Sequence, residues 1–169
     1  PGAGGVVAGD AVAKAAPDGY TLLLMSNGTA VSAGLFKSLP FDTAKDFAPV
    51  STLGFFDLSI VVADNSRFKT LGELLAYARA NPGKINYGSG GNGTNTHMGA
   101  ELFKSLTGTF LTHIPYRGGG AALQDVIAGQ VQMIVTALPG ALPHIKSGKV
   151  RALMLTSNER SAVAPDIPS

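Results

Sequence analysis

Ile85-Asn86-Tyr87-Gly88-Ser89-Gly90-Gly91-Asn92-Gly93-Thr94-Asn95-Thr96-His97 is the stretch whose reading decides the fold. Ile85 to Gly88 reads as a short strand, Ser89 to Thr94 as a glycine-rich loop, and Asn95 to Leu106 as a helix with Met98, Leu102 and Leu106 on one face. A strand that turns through glycines directly into a helix is the repeating unit of parallel sheets. The same alternation continues on both sides. Upstream, Thr70 with Glu73 three residues later forms a capping box. Leu71, Leu74, Leu75 and Ala78 line one apolar face, and Asn81-Pro82-Gly83 ends that helix. Downstream, Phe110 to Ile114 is a strand, Tyr116 to Gly120 a second glycine loop and Ala121 to Ala128 a helix. Val131 to Thr136 is a strand, Leu138 to Lys146 a helix and Val150 to Thr156 a last strand. The predicted class is α/β, with a parallel-rich sheet flanked by helices.

Before Thr70 the pattern is looser. Ala8 to Ala16 reads as a short helix stopped by Pro17-Asp18-Gly19. Tyr20 to Met25 is a continuous apolar run of strand length, Ala30 to Phe36 is helical, and Phe47 to Leu53 and Leu58 to Ala63 are further strands. The composition is globular: 45% of the 169 residues are hydrophobic and 14% are charged. Thirteen basic against eleven acidic residues give a net charge of +2, and no run of Lys and Arg exists, which argues against nucleic acid as a partner. Without cysteine, disulfides, zinc-thiolate sites and thiol nucleophiles are excluded.

Ligands of parallel α/β sheets bind beyond the carboxyl ends of strands, at helix N-termini. Both glycine loops fall at such places. In Gly88 to Thr94, four glycines expose backbone N–H groups, the following helix adds partial positive charge, and Ser89, Thr94 and Asn95 add polar side chains. We expect Ser89, Gly90, Gly91, Asn92 and Thr94 to cradle a carboxylate or phosphate; the plain alternative is a flexible connection with an ordinary cap. Gly88, Gly90 and Gly93 also match the dinucleotide fingerprint, but no acid ends the next strand, whose close is His113-Ile114-Pro115-Tyr116-Arg117. Tyr116, Arg117, Gly118 and Gly119 repeat the chemistry with a phenol, a guanidinium and a second nest, against the alternative of an exposed Arg and a core Tyr. His97, in the first turn of its helix, either orients the loop or touches ligand. The three histidines never reach metal-like spacing, so neither a metal nor another cofactor is expected. No nucleophile elbow, no P-loop and no poised carboxylate pair is found, so no catalytic residue is assigned and the chain is read as a non-enzyme.

Pro17-Asp18-Gly19-Tyr20-Thr21-Leu22-Leu23 resembles a signature of the substrate-binding proteins of tripartite tricarboxylate transporters, the Bug-type receptors. Leu39-Pro40-Phe41-Asp42, Asp46 to Val50, Ala80 to Tyr87, Glu101-Leu102-Phe103, His113 to Gly118, Gly129-Gln130-Val131 and Pro165-Asp166-Ile167-Pro168 fit the same family, in order. The resemblance implies a type II periplasmic-binding-protein fold, with two lobes closing on a small organic anion, and a periplasmic receptor serving a membrane permease. On that plan residues 1–62 are part of a first lobe, 63–150 a second lobe, and 151–169 a crossover strand beginning the return. Asn27 and Thr29 would face the cleft from the first lobe. Thr136 stands where relatives often carry an acid, which favours a ligand without an amino group. The start at Pro1 and end at Ser169 lead to the expectation of a fragment without its signal peptide, N-terminal strand and C-terminal return. Open sheet edges in such a truncated lobe invite pairing with another chain. The competing functions are a nucleotide-dependent enzyme using Gly88 to Gly93 and a sensory module reusing the binding fold.

Overall fold

The computed structural model describes residues 3–169. Two short helices, α1 (Val6–Ala13) and α2 (Asn27–Leu35), precede β1 (Leu58–Ala63) and α3 (Leu71–Ala80). Strict alternation follows: β2 (Asn86–Ser89), α4 (Asn95–Thr107), β3 (Thr112–Pro115), α5 (Gly119–Ile127), β4 (Met133–Ala137), α6 (Leu138–Lys146) and β5 (Val150–Leu155). The five strands form one sheet in the order β3-β2-β4-β1-β5. β2 runs parallel to β3 and to β4, whereas β1 lies antiparallel to both β4 and β5. The sheet is therefore parallel-rich but mixed.

Each strand divides its side chains between two cores. Ile60, Val62, Met133 and Val135 point to the face covered by α3 and α4, where they pack with Leu74, Ala78, Tyr87 and Ala100. Val61 and Ile134 point to the opposite face and pack with Ala122, Leu123 and Val126 of α5 and Ala141 of α6. The alternation is the ordinary period of two along a strand. Burial on both faces is why these segments read as continuous apolar runs. The Thr70 cap of α3 forms as expected, its hydroxyl accepting the Glu73 amide at 3.2 Å; the Glu73 carboxylate reaches back one residue further than a capping box does and accepts the Lys69 amide at 2.6 Å. The Met98, Leu102 and Leu106 face of α4, read as a packing face, is instead 38, 60 and 78% exposed; Ala100 and Phe103 are the side chains that α4 turns to the sheet.

Two expected strands do not form. Tyr20 to Met25 and Phe47 to Leu53 are irregular, and Tyr20 is 92% and Leu53 82% exposed. A strand needs a neighbour for its ladder, and these segments pair with none among the described residues. β1, which holds residues 62 and 63, pairs with β4 on one side and β5 on the other. Membership of a sheet is a long-range property, and local pattern does not report it.

Close approach of α4 to the sheet depends on Gly99. A Cβ there would lie 2.9 Å from Cγ1 of Val135 and 3.0 Å from Cδ1 of Leu58, whereas a Cβ on Gly72 of α3 meets nothing nearer than 3.9 Å. Alanine at either position gains helix propensity of about 0.5–1 kcal/mol. Gly72→Ala is therefore expected to raise the urea midpoint, while Gly99→Ala is expected to lower stability by about 1–3 kcal/mol through overpacking. Urea unfolding of the two variants beside the parent checks both signs.

Candidate functional site

The strands β2, β3 and β4 end at the same edge of the sheet, and the chain leaves them in different directions. From β2 it turns into α4 on one face; from its neighbours β3 and β4 it turns into α5 and α6 on the other. Where adjacent strands send their exits to opposite faces, a crevice opens beyond the carboxyl ends. Here that crevice has a volume of about 280 Å³. Its walls are the first turns of three helices: Thr94, Asn95 and Thr96 of α4, Gly118 to Gly120 of α5, and Ala137 and Gly140 of α6, with Gly90 and Thr136 between them. No charged side chain lines it. Its electrostatics come from backbone, since each helix start carries roughly half a positive charge.

The hydrogen bonds show which donors are open. Gly90 donates its amide to Oγ1 of Thr96 at 2.8 Å, Gly91 to Oγ of Ser89 at 3.1 Å, and Gly93 to Nδ1 of His97 at 3.2 Å. The glycine-loop amides expected to face a ligand are thus largely spent on shaping the loop. The Thr94 hydroxyl donates to the Gly91 carbonyl at 2.7 Å and accepts the His97 amide at 3.4 Å, so it too is structural. By contrast, α5 and α6 have no side-chain cap. The first-turn amides of α5 lack intrahelical acceptors by the geometry of a helix start. In α6 the Leu138 amide is held by the Asp57 carbonyl at 2.9 Å and Pro139 has none, which leaves Gly140 as the open donor. The Thr136 hydroxyl lines the cleft and has no partner among the described residues.

Of the residues expected at a site, Gly90, Thr94, Gly118, Gly119 and Thr136 come together in the cleft lining. Ser89, Gly91 and His97 stand behind it, as members of the loop's hydrogen-bond scaffold. Asn92 is exposed at the loop tip. Tyr116 packs against the α5–α6 core and donates its hydroxyl to Oδ2 of Asp125 at 2.7 Å; that bond, with burial, pushes its phenol up to about 12. Arg117 is exposed beside it and outside the lining. Thr29 is buried within α2 and Asn27 is exposed at its start, and neither reaches the lining. The N-terminal segment does meet the loop elsewhere: Gly4 lies against the Asn92 carbonyl and Leu35 against Gly93. The contribution of α6 was missed because Thr136-Ala137-Leu138 passes from strand to helix without a glycine to mark the junction. The position of Thr96 was also missed; it is the second residue of α4, and the loop amide whose hydrogen bond it accepts lies six residues earlier, at Gly90.

The two glycine loops touch backbone to backbone. A Cβ on Gly90 would lie 2.9 Å from the Gly119 nitrogen and 3.3 Å from the Gly118 carbonyl carbon, while one on Gly120 would meet nothing within 4 Å. Gly90→Ala is expected to part the loops, cost about 1–3 kcal/mol, and shift the amide resonances of Gly118 and Gly119. Gly120→Ala is expected to leave those resonances in place. Proton–nitrogen spectra of the two variants decide it.

Comparison with known proteins agrees with this geometry. Residues 1–169 match the Tripartite tricarboxylate transporter family receptor. Protein BugT of Bordetella pertussis is 38% identical over 170 residues, covering 99% of this chain and 52% of that protein. A Pseudomonas protein encoded between tcbD and tcbE is 36% identical over 168 residues, covering 99% of this chain and 50% of its own. Among solved structures, an R. palustris protein with adipate superposes with a TM-score of 0.93 at 30% identity, covering 98% of this chain and 56% of that one. MatC of Rhodopseudomonas palustris with bound malate gives 0.88 at 34% identity, covering 99% and 57%. The periplasmic binding protein BugD gives 0.89 at 30% identity, covering 99% and 56%. The chain spans about half the length of the curated relatives it matches. With its mixed sheet, its cleft at the strand ends and a match along its whole length, the chain belongs to the tripartite tricarboxylate transporter receptor family.

Proposed function

We propose that the chain forms the ligand-holding part of a periplasmic receptor that captures a small organic dicarboxylate or tricarboxylate for a membrane permease. The observation that carries this reading is the convergence of three helix starts on one cleft without a charged side chain. Open backbone amides and the Thr136 hydroxyl suit the lone pairs of a carboxylate. A volume of about 280 Å³ suits a ligand of few heavy atoms. Relatives solved with adipate and with malate support the same ligand class. The reading places the segment before β1 in a first lobe and the sheet in a second, with closure bringing further donors onto the exposed side of the anion. A lining without titratable groups supplies binding, not acid–base chemistry.

Calorimetry on the full-length protein with adipate, malate, citrate and NADPH tests the proposal. Binding of at least one carboxylate is expected; response to NADPH alone would overturn it. Thr136→Val is expected to weaken carboxylate binding about tenfold or more, the value of a hydrogen bond to a charged group, with the melting temperature kept. Thr94→Val removes a helix cap and a loop bond together, so it is expected to lower both affinity and stability, the latter by about 1 kcal/mol.

A further inference from the structure

We propose that His97 and His113 are positioning residues for the anion cleft: as neutral rings they hold the glycine loop in shape, and the loop loosens when either takes up a proton. The inference deepens the carboxylate-receptor reading and rests on it for its functional meaning. Two bonding paths lead from loop amides to imidazole nitrogens. Gly93 donates directly to Nδ1 of His97 at 3.2 Å. Gly91 donates to Oγ of Ser89 at 3.1 Å, and that buried oxygen lies 2.6 Å from Nε2 of His113. The Ser89 proton goes to His113 over the Gly91 carbonyl, which is 3.4 Å away. The Gly93 bond needs an unprotonated Nδ1, so His97 carries its proton on Nε2; a Ser89 hydroxyl that donates to Nε2 of His113 puts that ring's proton on Nδ1.

The two rings stack with centroids 4.2 Å apart, and Tyr87 stacks on His113 at 4.9 Å. The titratable and charged groups facing the pair are Tyr87 from β2 and Glu101 and Lys104 from α4. Glu101 is engaged by the Lys104 ammonium at 2.7 Å and by the Tyr87 hydroxyl; its charge favours an imidazolium at His113, but less than burial and the neighbouring His97 disfavour one. Burial, followed by repulsion from His97, holds His113 below the ordinary histidine range. A proton on Nδ1 of His97 would turn an acceptor into a donor that faces the Gly93 N–H, and a proton on Nε2 of His113 would turn the Ser89 hydroxyl round toward the Gly91 carbonyl, so that Oγ of Ser89 has to accept from the ring as well as from Gly91. Gly91 and Gly93 sit at φ +116° and +76°, held there by these bonds and not by side chains of their own. Gly90 packs on the Gly119 backbone, so a loosened loop disturbs the first turn of α5. The depressed folded-state pKa of His113 makes that ring's part of the loop's support complete above about pH 6.5 and lost as pH falls below it.

Nitrogen-15 NMR of the ligand-free, full-length protein tests this. At pH 8 the expected tautomers are Nε2–H for His97 and Nδ1–H for His113; the opposite tautomers would overturn the proposal without any variant. Between pH 8 and 5, protection of the Gly91 and Gly93 amides, relative to their intrinsic exchange, is expected to fall about tenfold in step with a histidine titration, one proton per decade. His97→Asn with His113→Gln keeps an acceptor near each nitrogen position and removes the titration. It is expected to retain protection at pH 8 and to abolish its fall. Constant protection in the parent, or an unchanged fall in the double variant, sinks the idea. Adipate affinity is expected to weaken between pH 7.5 and 6.0 in the parent alone; tightening would mean that an imidazolium meets the anion directly. Because amide protection needs no ligand, a failure to bind adipate would count against the proposed function and not against the loop mechanism.

Discussion

The feature on which the site depends is the reversal of direction at the edge of the sheet. β2 releases its chain to one face while β3 and β4 release theirs to the other, and the gap between those exits is the cleft. Helices that start at a shared edge point their amide ends at a shared volume. The potential there is built from dipoles held by the sheet, and none of it comes from a charged residue in the lining. Fixed dipoles need no reorganisation when an anion arrives, and they impose no counter-charge that would have to be displaced on release.

Glycine acts here mainly as a means of close packing. Gly90 lets one loop rest on the backbone of the other, Gly99 lets α4 approach β4, and a Cβ on Gly88 would lie 3.0 Å from that of Ala122. The loop after β2 is not an open nest of amides. Ser89, Thr94, Thr96 and His97 fill its hydrogen-bonding capacity from behind, so its shape is defined before any ligand binds. Preorganisation of this kind lowers the ordering cost of binding. The free donors lie in the neighbouring helix starts, which the rigid loop keeps at the right distance.

The histidine pair extends this logic one layer deeper. Neither ring lines the cleft, yet His97 accepts a loop amide and His113 shares a hydrogen bond with the Ser89 hydroxyl that accepts another. The pair is sandwiched between the loop and the Tyr87–Glu101–Lys104 cluster. A buried polar network of this type is sensitive to a single proton because each member has its role set by the next.

The sequence by itself determined the class of the fold, the helix starts at Thr70 and Thr94, and the two glycine loops. These depend on local periodicity, capping and turn chemistry, which act over a few residues. The resemblance carried by Pro17 to Leu23 and the segments after it was equally legible, because it is a property of residue order. Tertiary structure alone decided that β1 enters the sheet antiparallel between β4 and β5, and that Tyr20 to Met25 stays outside it. Strand pairing is a contact between distant segments, and an apolar run looks the same whether or not a partner lies beside it. Tertiary structure also decided which polar groups face the cleft. Thr94 and Thr136 read alike in sequence, but Thr94 gives its proton to the Gly91 carbonyl while Thr136 has no neighbour to give one to among the described residues. Whether a donor is spent or free depends on what the fold sets opposite it, and local sequence does not carry that information.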